Sequence, residues 1–209
     1  QTDVLNAITS YNTNTLENFT GMFRYSEALK VIDDADTAIL SNITKVKMYK
    51  FITPTLNSAL KYTLSFNNAF YNPHSGHNSD MGGILSSSSF KISGDTTNDY
   101  FLNDDGQGNV RLYYVAGGVN VYTNNTLGTI DYTNGQIVLN SLNITSVGNV
   151  DGATSTAVRL TIIPNSVDVV PVRNQVLQID ETNTSVTVTA DDYDTTSGIG
   201  YTTATNYAS

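Results

Sequence analysis

Three residues in one polar stretch carry the most obvious chemistry. His74, His77 and Asp80 form an H-x-x-H-x-x-D cluster, two imidazoles and a carboxylate of the kind that hold a divalent metal. No third ligand is fixed on a rigid element, and loop histidines without such support are ordinarily solvated, so no metal is assigned to them. The run NDDGQGN, residues 103 to 109, has the alternating oxygens and glycine of a calcium loop but lacks the bidentate glutamate that completes one. Asp33, Asp34 and Asp36 have the residue types of a paired-acid glycosidase, which needs two carboxylates at a set separation across a cleft. Capping of a following helical turn accounts for them without an active site.

Other reaction chemistries lack their parts. The chain has no cysteine, which removes disulfides, thiolate zinc sites and thiol nucleophiles. Neither a G-x-S-x-G elbow nor a G-x-x-x-x-G-K-[ST] loop occurs, and both histidines lie in one loop, so a Ser-His-Asp arrangement has no evident frame. No catalytic residue and no cofactor is expected. The N-x-[ST] triplets at Asn18, Asn42, Asn124, Asn143 and Asn183 are what chance supplies in a chain rich in Asn and Thr. Tyrosines such as Tyr113, Tyr114, Tyr122, Tyr132, Tyr193, Tyr201 and Tyr207 have rings suited to stacking on sugars or anchoring an interface, and equally to ordinary packing on a sheet face.

The elements that must position these residues begin with composition. A chain of 209 residues is long enough to bury a real core without staples. Its formal charge of -9 opposes phosphate backbones, so nucleic acid is not an expected main partner. No apolar run approaches the roughly 20 residues that cross a bilayer, and the amino end lacks a signal-peptide pattern, so a soluble chain is expected. The first residue is Gln1 rather than methionine, which suggests a longer parent. Charged residues are only 14%, and the abundant Asn, Thr, Ser and Tyr favour strands and turns.

From Leu16 the apolar positions Leu16, Phe19, Met22, Phe23, Leu29 and Ile32 recur at helical spacing, weakened by Gly21, and one of Asp33, Asp34 and Asp36 caps a second short helix at Ala38 to Leu40. After Asn42 the period becomes two: Val46 and Met48 alternate with Lys45 and Lys47 in a strand that ends near Pro54. A second strand is predicted over 60–66, followed by a long loop over 67–83. Two hairpins follow, one turning at Asp105-Gly106 and one at Asn134-Gly135, together a meander. In the first, Val110, Leu112 and Tyr114 should face one way and Arg111, Tyr113 and Val115 the other. The apolar phase slips between Ile137/Leu139 and Leu142/Ile144, which predicts a bulge near Asn140 or Ser141. Further strands are predicted at 158–163, 175–179 and 185–190, with Pro164 and Pro171 confining the connection between the first two to an edge or a crossing. The fold class is α+β, mostly β: a short N-terminal helical segment, an antiparallel meander or sandwich, and a polar C-terminal arm. The boundaries expected are a helical annex at 1–43, a β-rich domain at 44–190 and a flexible or neighbour-ordered tail at 191–209.

Four stretches together resemble a known family: FRYSEALKVIDDADTAILSN at 23–42, TKVKMYKFITP at 44–54, LGTIDYTNGQIVLNSLNIT at 127–145 and IPNSVDVVPVRNQVLQID at 163–180. They are similar to the C-terminal part of the baseplate wedge subunit of contractile-tailed phages of the T-even type, including relatives that infect marine cyanobacteria, a family related to J-like baseplate proteins. The ending SGIGYTTATNY, 197–207, has the same likeness. The chain lacks that family's long N-terminal portion. The resemblance implies a non-enzymatic structural subunit of the virion's tail baseplate, assembled in the bacterial cytoplasm. Its implied partners are other copies of itself, in dimer and ring contacts, and other wedge proteins, with no nucleic acid and no membrane insertion; the ring is expected to relay conformational change to the sheath.

The segments FRYSEALKVIDDAD and VVPVRNQ are the candidate contact regions, represented by Phe23, Arg24, Tyr25, Asp33, Asp36, Val170, Arg173 and Asn174. Arg24 and Arg173 suit bidentate pairing with carboxylates, either across an interface or within their own subunit, and the sequence leaves both open. A carbohydrate-binding or host-receptor module of a viral tail is the alternative, suggested by the Tyr and Asn content and the loop at 67–83. A glycan or peptidoglycan hydrolase stands last, for want of an acid pair or metal triad.

Overall fold

A computed structural model describes residues 1–75, 83–171 and 175–188. The chain opens with helix α1 (Thr2–Tyr11), runs into a π-helical turn at Asn12–Leu16, and after an irregular crossing forms α2 (Tyr25–Asp33). Nine strands follow among the described residues: β1 (Met48–Ile52), β2 (Ala59–Ser65), β3 (Ser86–Ser87), β4 (Phe90–Ile92), β5 (Asp95–Asp104), β6 (Asn109–Ala116), β7 (Val119–Asp131), β8 (Gln136–Val147) and β9 (Val158–Ile162). The fold is α+β and mostly antiparallel β, as the periodicities predict.

The helical stripe from Leu16 is not one helix. Leu16 closes the π turn, Phe19 is 81% exposed, and α2 starts only at Tyr25. Two local features break it. The Asn18 side chain accepts from Thr20 N at 3.0 Å and donates to Thr15 O at 2.8 Å, a competing local turn. At Gly21 a Cβ would lie 2.3 Å from the Leu16 carbonyl oxygen, so the chain folds back over the turn where only glycine fits. The helix α1 falls within the expected helical annex, ahead of the Leu16 stripe, and carries its own spacing in Val4, Ile8 and Tyr11. The predicted second helix at 38–40 is a turn instead: Asp36 Oδ1 accepts from Ala38 N at 2.9 Å and no helical run follows.

A three-stranded sheet runs β1-β9-β3, and a larger one runs β2-β8-β4-β5-β6-β7. Strand β8 also pairs with β7 through Gly128↔Leu139 to Asp131↔Gln136. The antiparallel pairings β4, β5, β6 and β7 therefore return to β8, giving a closed, barrel-like circuit that buries its inner side chains. Leu102, Val110, Ile137, Leu139, Ile144, Leu160 and Ile162 are each fully buried in the resulting core.

The predicted bulge is present at Ser141, with φ 50°: Leu60 pairs with Leu142 and Tyr62 with Leu139, so Lys61 faces two residues. The extra residue restores the inward phase, since Ile137, Leu139, Leu142 and Ile144 are all buried. Both hairpins form, but neither has the expected two-residue turn. Pairing stops at Asp104↔Val110 and at Asp131↔Gln136, leaving five residues in the first loop and four in the second. An aspartate explains each. Asp105 Oδ1 accepts from Gln107 N and Asn109 N at 2.8 and 2.9 Å, and Asp131 Oδ1 accepts from Thr133 N and Asn134 N at 3.0 and 2.9 Å. Val110 and Leu112 face the core, with Tyr114 packed against it, while Arg111, Tyr113 and Val115 face outward.

Of the later strands, β9 is as predicted. Residues 175–179 pair with no strand; Leu177 and Ile179 pack instead on the helical cluster of Tyr11, Leu16 and Ala28. Residues 185–188 likewise form no strand, and the rest of that predicted strand and the tail at 191–209 lie outside the described residues.

Candidate assembly surfaces

Two of the candidate stretches, far apart in sequence, meet in space. Phe23 and Val169 form an antiparallel bridge, Phe23 N donating to Val169 O at 3.0 Å and Val169 N to Phe23 O at 2.9 Å. The first helical amide of α2, Tyr25 N, has no carbonyl of its own helix to bond, and Asp168 Oδ1 accepts it at 2.7 Å. That carboxylate sits at the positive end of the helix dipole, where negative charge is stabilised. Val170 is held beside them by Asn68, whose Oδ1 accepts from Val170 N at 3.2 Å and whose Nδ2 donates to Val170 O at 2.9 Å. Tyr25 Oη donates to Thr44 O at 2.9 Å, and the Phe23 ring meets Tyr11 edge-on at 6.2 Å. The structure thus brings Phe23, Arg24, Tyr25 and Val170 to one junction, through contacts within the chain. Asp168 was missed; its place in PNSVDVV is a polar residue between apolar neighbours, a weak signal.

Asp33 and Asp36 lie at the other end of α2, both exposed. Asn42 Nδ2 donates to Asp33 Oδ1 at 2.7 Å, and Asp36 closes its own turn. The Arg24 side chain is exposed and forms no ion pair among the described residues. Arg173 and Asn174 lie outside the described residues.

The segment at 175–188 crosses the helices as a strap. Its anchor is Asn12, 2% exposed, whose Oδ1 accepts from Ile179 N at 2.8 Å. Asn12 Nδ2 donates to both Glu17 Oε1 and Glu181 Oε1, at 3.2 and 3.1 Å. Gln178 Nε2 adds a bond to Glu17 Oε1 at 2.9 Å, and Gln1 Nε2 reaches Val186 O at 2.8 Å. Lys50, on β1, ties the strap to the sheets: its Nζ donates to Ser65 O at 2.7 Å and Gln175 Oε1 at 3.3 Å, and burial pulls its ammonium below the ordinary lysine range. Beside these satisfied contacts, the helical region and the segment leading to β1 leave Phe19, Leu40 and Ile43 exposed at 81, 78 and 91%.

The β5–β6 corner holds a buried carboxylate that the hairpin reading passed over. Asp104 is fully buried; its Oδ1 accepts from Ile84 N and Leu85 N at 2.7 and 2.8 Å, and its Oδ2 from Tyr132 Oη at 2.7 Å and Gly106 N at 3.3 Å. Burial and this carboxylate push the Tyr132 hydroxyl well above the ordinary tyrosine range. Gly83, with φ +71°, would place a Cβ 1.9 Å from Asp104 Oδ1, so the chain passes over the carboxylate only as glycine. The signal was the β5 alternation, in which Asp104 shares the inward phase of Tyr100 and Leu102. A shallow depression of about 520 Å³ lies at this corner, lined by Asn72, Gly106, Gln107, Tyr132 and neighbouring residues. It opens broadly to solvent, and the one buried carboxylate beside it is used in holding backbone. Of the His74, His77 and Asp80 cluster only His74 is described, with Nδ1 3.2 Å from Ser75 O. On the outer sheet face the rings of Phe101, Tyr113 and Tyr122 meet in tilted pairs, Phe101 and Tyr113 at 5.7 Å and Tyr113 and Tyr122 at 5.6 Å, with the Arg111 guanidinium 4.4 Å from the Tyr122 ring centre.

No helix among the described residues is long and apolar enough to cross a membrane. No curated protein matches the chain. Residues 1–51, from α1 through the exposed apolar segment into β1, match the family model described as baseplate structural protein gp6, C-terminal domain III. That span contains the first of the four resembling stretches and most of the second, and through it the chain is similar to the C-terminal region of a phage baseplate wedge subunit, a structural protein of the tail baseplate.

Proposed function

We propose that this chain is a structural subunit of a contractile-tail baseplate wedge, which makes the dimer and ring contacts that link wedges and relays their rearrangement to the sheath. The observation that carries the reading is the match of residues 1–51 to a baseplate structural domain. Within that span the large apolar side chains of Phe19, Leu40 and Ile43 lie open to solvent, where a neighbour can cover them. In this reading the annex at 1–43 and the junction of Phe23, Arg24, Tyr25 and Val170 meet neighbouring wedge proteins. Asp33 and Asp36 extend that contact and the β-rich domain at 44–190 carries it, while Arg173, Asn174 and the tail at 191–209 lie outside the described residues. No bond-making step is assigned to any residue.

Cross-linking mass spectrometry on purified tails tests it. Links from the segment around Lys45 and Lys47 to other baseplate proteins are expected, and Ile43→Asp should cut incorporation into baseplates at least tenfold while leaving the isolated chain folded. Absence of the protein from purified tails, or full incorporation of Ile43→Asp together with Phe19→Asp, would refute the proposal.

A further inference from the structure

The β6–β7 hairpin runs past the body of the sheet. Tyr114 is the last residue of β6 paired with β5, through Tyr100, so beyond it the ribbon has two strands only. Strand β7 pairs with β8 only from Gly128 to Asp131, which leaves the second edge of β7 unpaired from Val119 to Leu127 among the described residues. The tip is stiff rather than loose: Ala116 pairs with Val119 across Gly117 and Gly118, whose φ values of 59° and 80° are those of a type I′ turn.

The chemistry of this prong does not suit solvent. From Leu112 to Ile130 there is no charged residue. Val115 is 50% exposed and Val119 66%. The inward face of β6, which buries Leu112 and packs Tyr114 on the core, continues past it as Ala116, opposite Val119 and exposed among the described residues. Natural edge strands are ordinarily guarded by charge, proline or a bulge. Here the register shifts of β7 lie below the tip, on either side of the Leu112↔Asn124 pair, and the four residues Val119 to Tyr122 carry no guard.

We infer that this prong is a self-association surface, on which the Val119–Tyr122 edge of one chain pairs antiparallel with the same edge of a second copy. The charge distribution selects that occupant. A chain of net charge -9 repels its own copies wherever acidic surface faces acidic surface. The uncharged prong is a place where two copies meet without that cost, and an antiparallel edge is its own complement under a twofold rotation. Two prongs joined this way satisfy the free edge and cover Val119 and Ala116 together. The inference deepens the assembly reading and rests on it by naming the surface through which copies pair.

The chain has no cysteine, so introduced thiols report cleanly. An equimolar mixture of Asn120→Cys and Val121→Cys chains, mildly oxidised, should give a disulfide-linked dimer, because a dyad on either residue sets two like thiols opposite each other. Thr96→Cys, exposed on another hairpin, should stay monomeric under the same conditions. Val119→Lys should raise the dimer dissociation constant at least tenfold by sedimentation, with an unchanged circular dichroism spectrum. Cross-linking no greater than for Thr96→Cys would overturn the inference, even if Val119→Lys proved unfolded. If the chain is present in baseplates yet does not cross-link, the prong falls alone; if it cross-links but is absent from baseplates, the wedge reading falls.

Discussion

At the scale of single residues, the chain uses its carboxylates to hold backbone. Asp104 gathers two main-chain amides from the 83–85 segment and a tyrosine hydroxyl inside the core. Asp104→Ala would strand those donors without water, and unsatisfied buried groups cost roughly 1–3 kcal/mol each, so a loss of about 3–5 kcal/mol is expected in urea unfolding. Asp104→Asn keeps one acceptor oxygen and should lose about half as much; equal stability of wild type and Asp104→Ala would contradict this account. The turn aspartates act at the surface. Hydrogen bonds from Asn134, first its side chain and then its backbone, hold Asp131 below the usual carboxylate range. At Asp95 the Asn98 side chain and the backbone of Thr97 and Asn98 do the same, and at Asp151 the Arg159 guanidinium. Groups whose pKa is depressed by folding stabilise the fold above the unfolded value near about 3.9, and that contribution is lost as pH falls through the folded values. The thermal midpoint should therefore hold down to about pH 4 and fall below it, and Asp131→Asn should flatten that fall. A midpoint insensitive to pH below 4 would rule out this role.

At the scale of elements, what could be read from the sequence follows from how local each signal is. Strand alternation and the phase slip at Asn140 and Ser141 are short-range patterns, and they located β8 and its bulge. The hairpins were legible as hairpins, but not their loop lengths, because Asp105 and Asp131 bond their own backbone two to four residues on and hold the loops open. The helix drawn through Leu16 and Ile32 failed because Gly21 permits a close crossing that apolar spacing cannot report. Residues 175–179 read as a strand because Val176, Leu177 and Ile179 suit one. Their actual partner is the helical cluster, a long-range packing choice that overrides propensity. Asn12 is the pin of that strap. Asn12→Ala should free the Ile179 amide and leave Glu17 and Glu181 without their shared donor, destabilising the docked strap by about 1–3 kcal/mol. Amide exchange at Ile179 should then quicken markedly while exchange in β8 stays unchanged; equal effects on both would mean that the strap is integral to the sheet.

At the scale of the whole molecule, two hydrophobic clusters of very different size set the order of stability. Among the described residues the sheet cluster buries 20 residues from both sheets, whereas the helical cluster buries only Tyr11, Leu16 and Ala28 and borrows Phe23, Val31, Leu177 and Ile179 to cover them. Local opening follows buried apolar contact, so α1 and α2 should exchange through a partial opening well below the global unfolding free energy, while β5, β6 and β8 exchange only on global unfolding. The less stable cluster lies in the span that matches a baseplate domain and carries the exposed Phe19, Leu40 and Ile43, so assembly has the most stability to add there. Native-state hydrogen exchange on the isolated chain and on assembled baseplates should then differ chiefly at Thr2–Asp33, with protection rising on assembly by tenfold or more, and little at the core strands. Protection of α1 equal to that of β8 in the isolated chain would refute the ranking, and unchanged protection of α1 in the baseplate would remove the helical region from the interface.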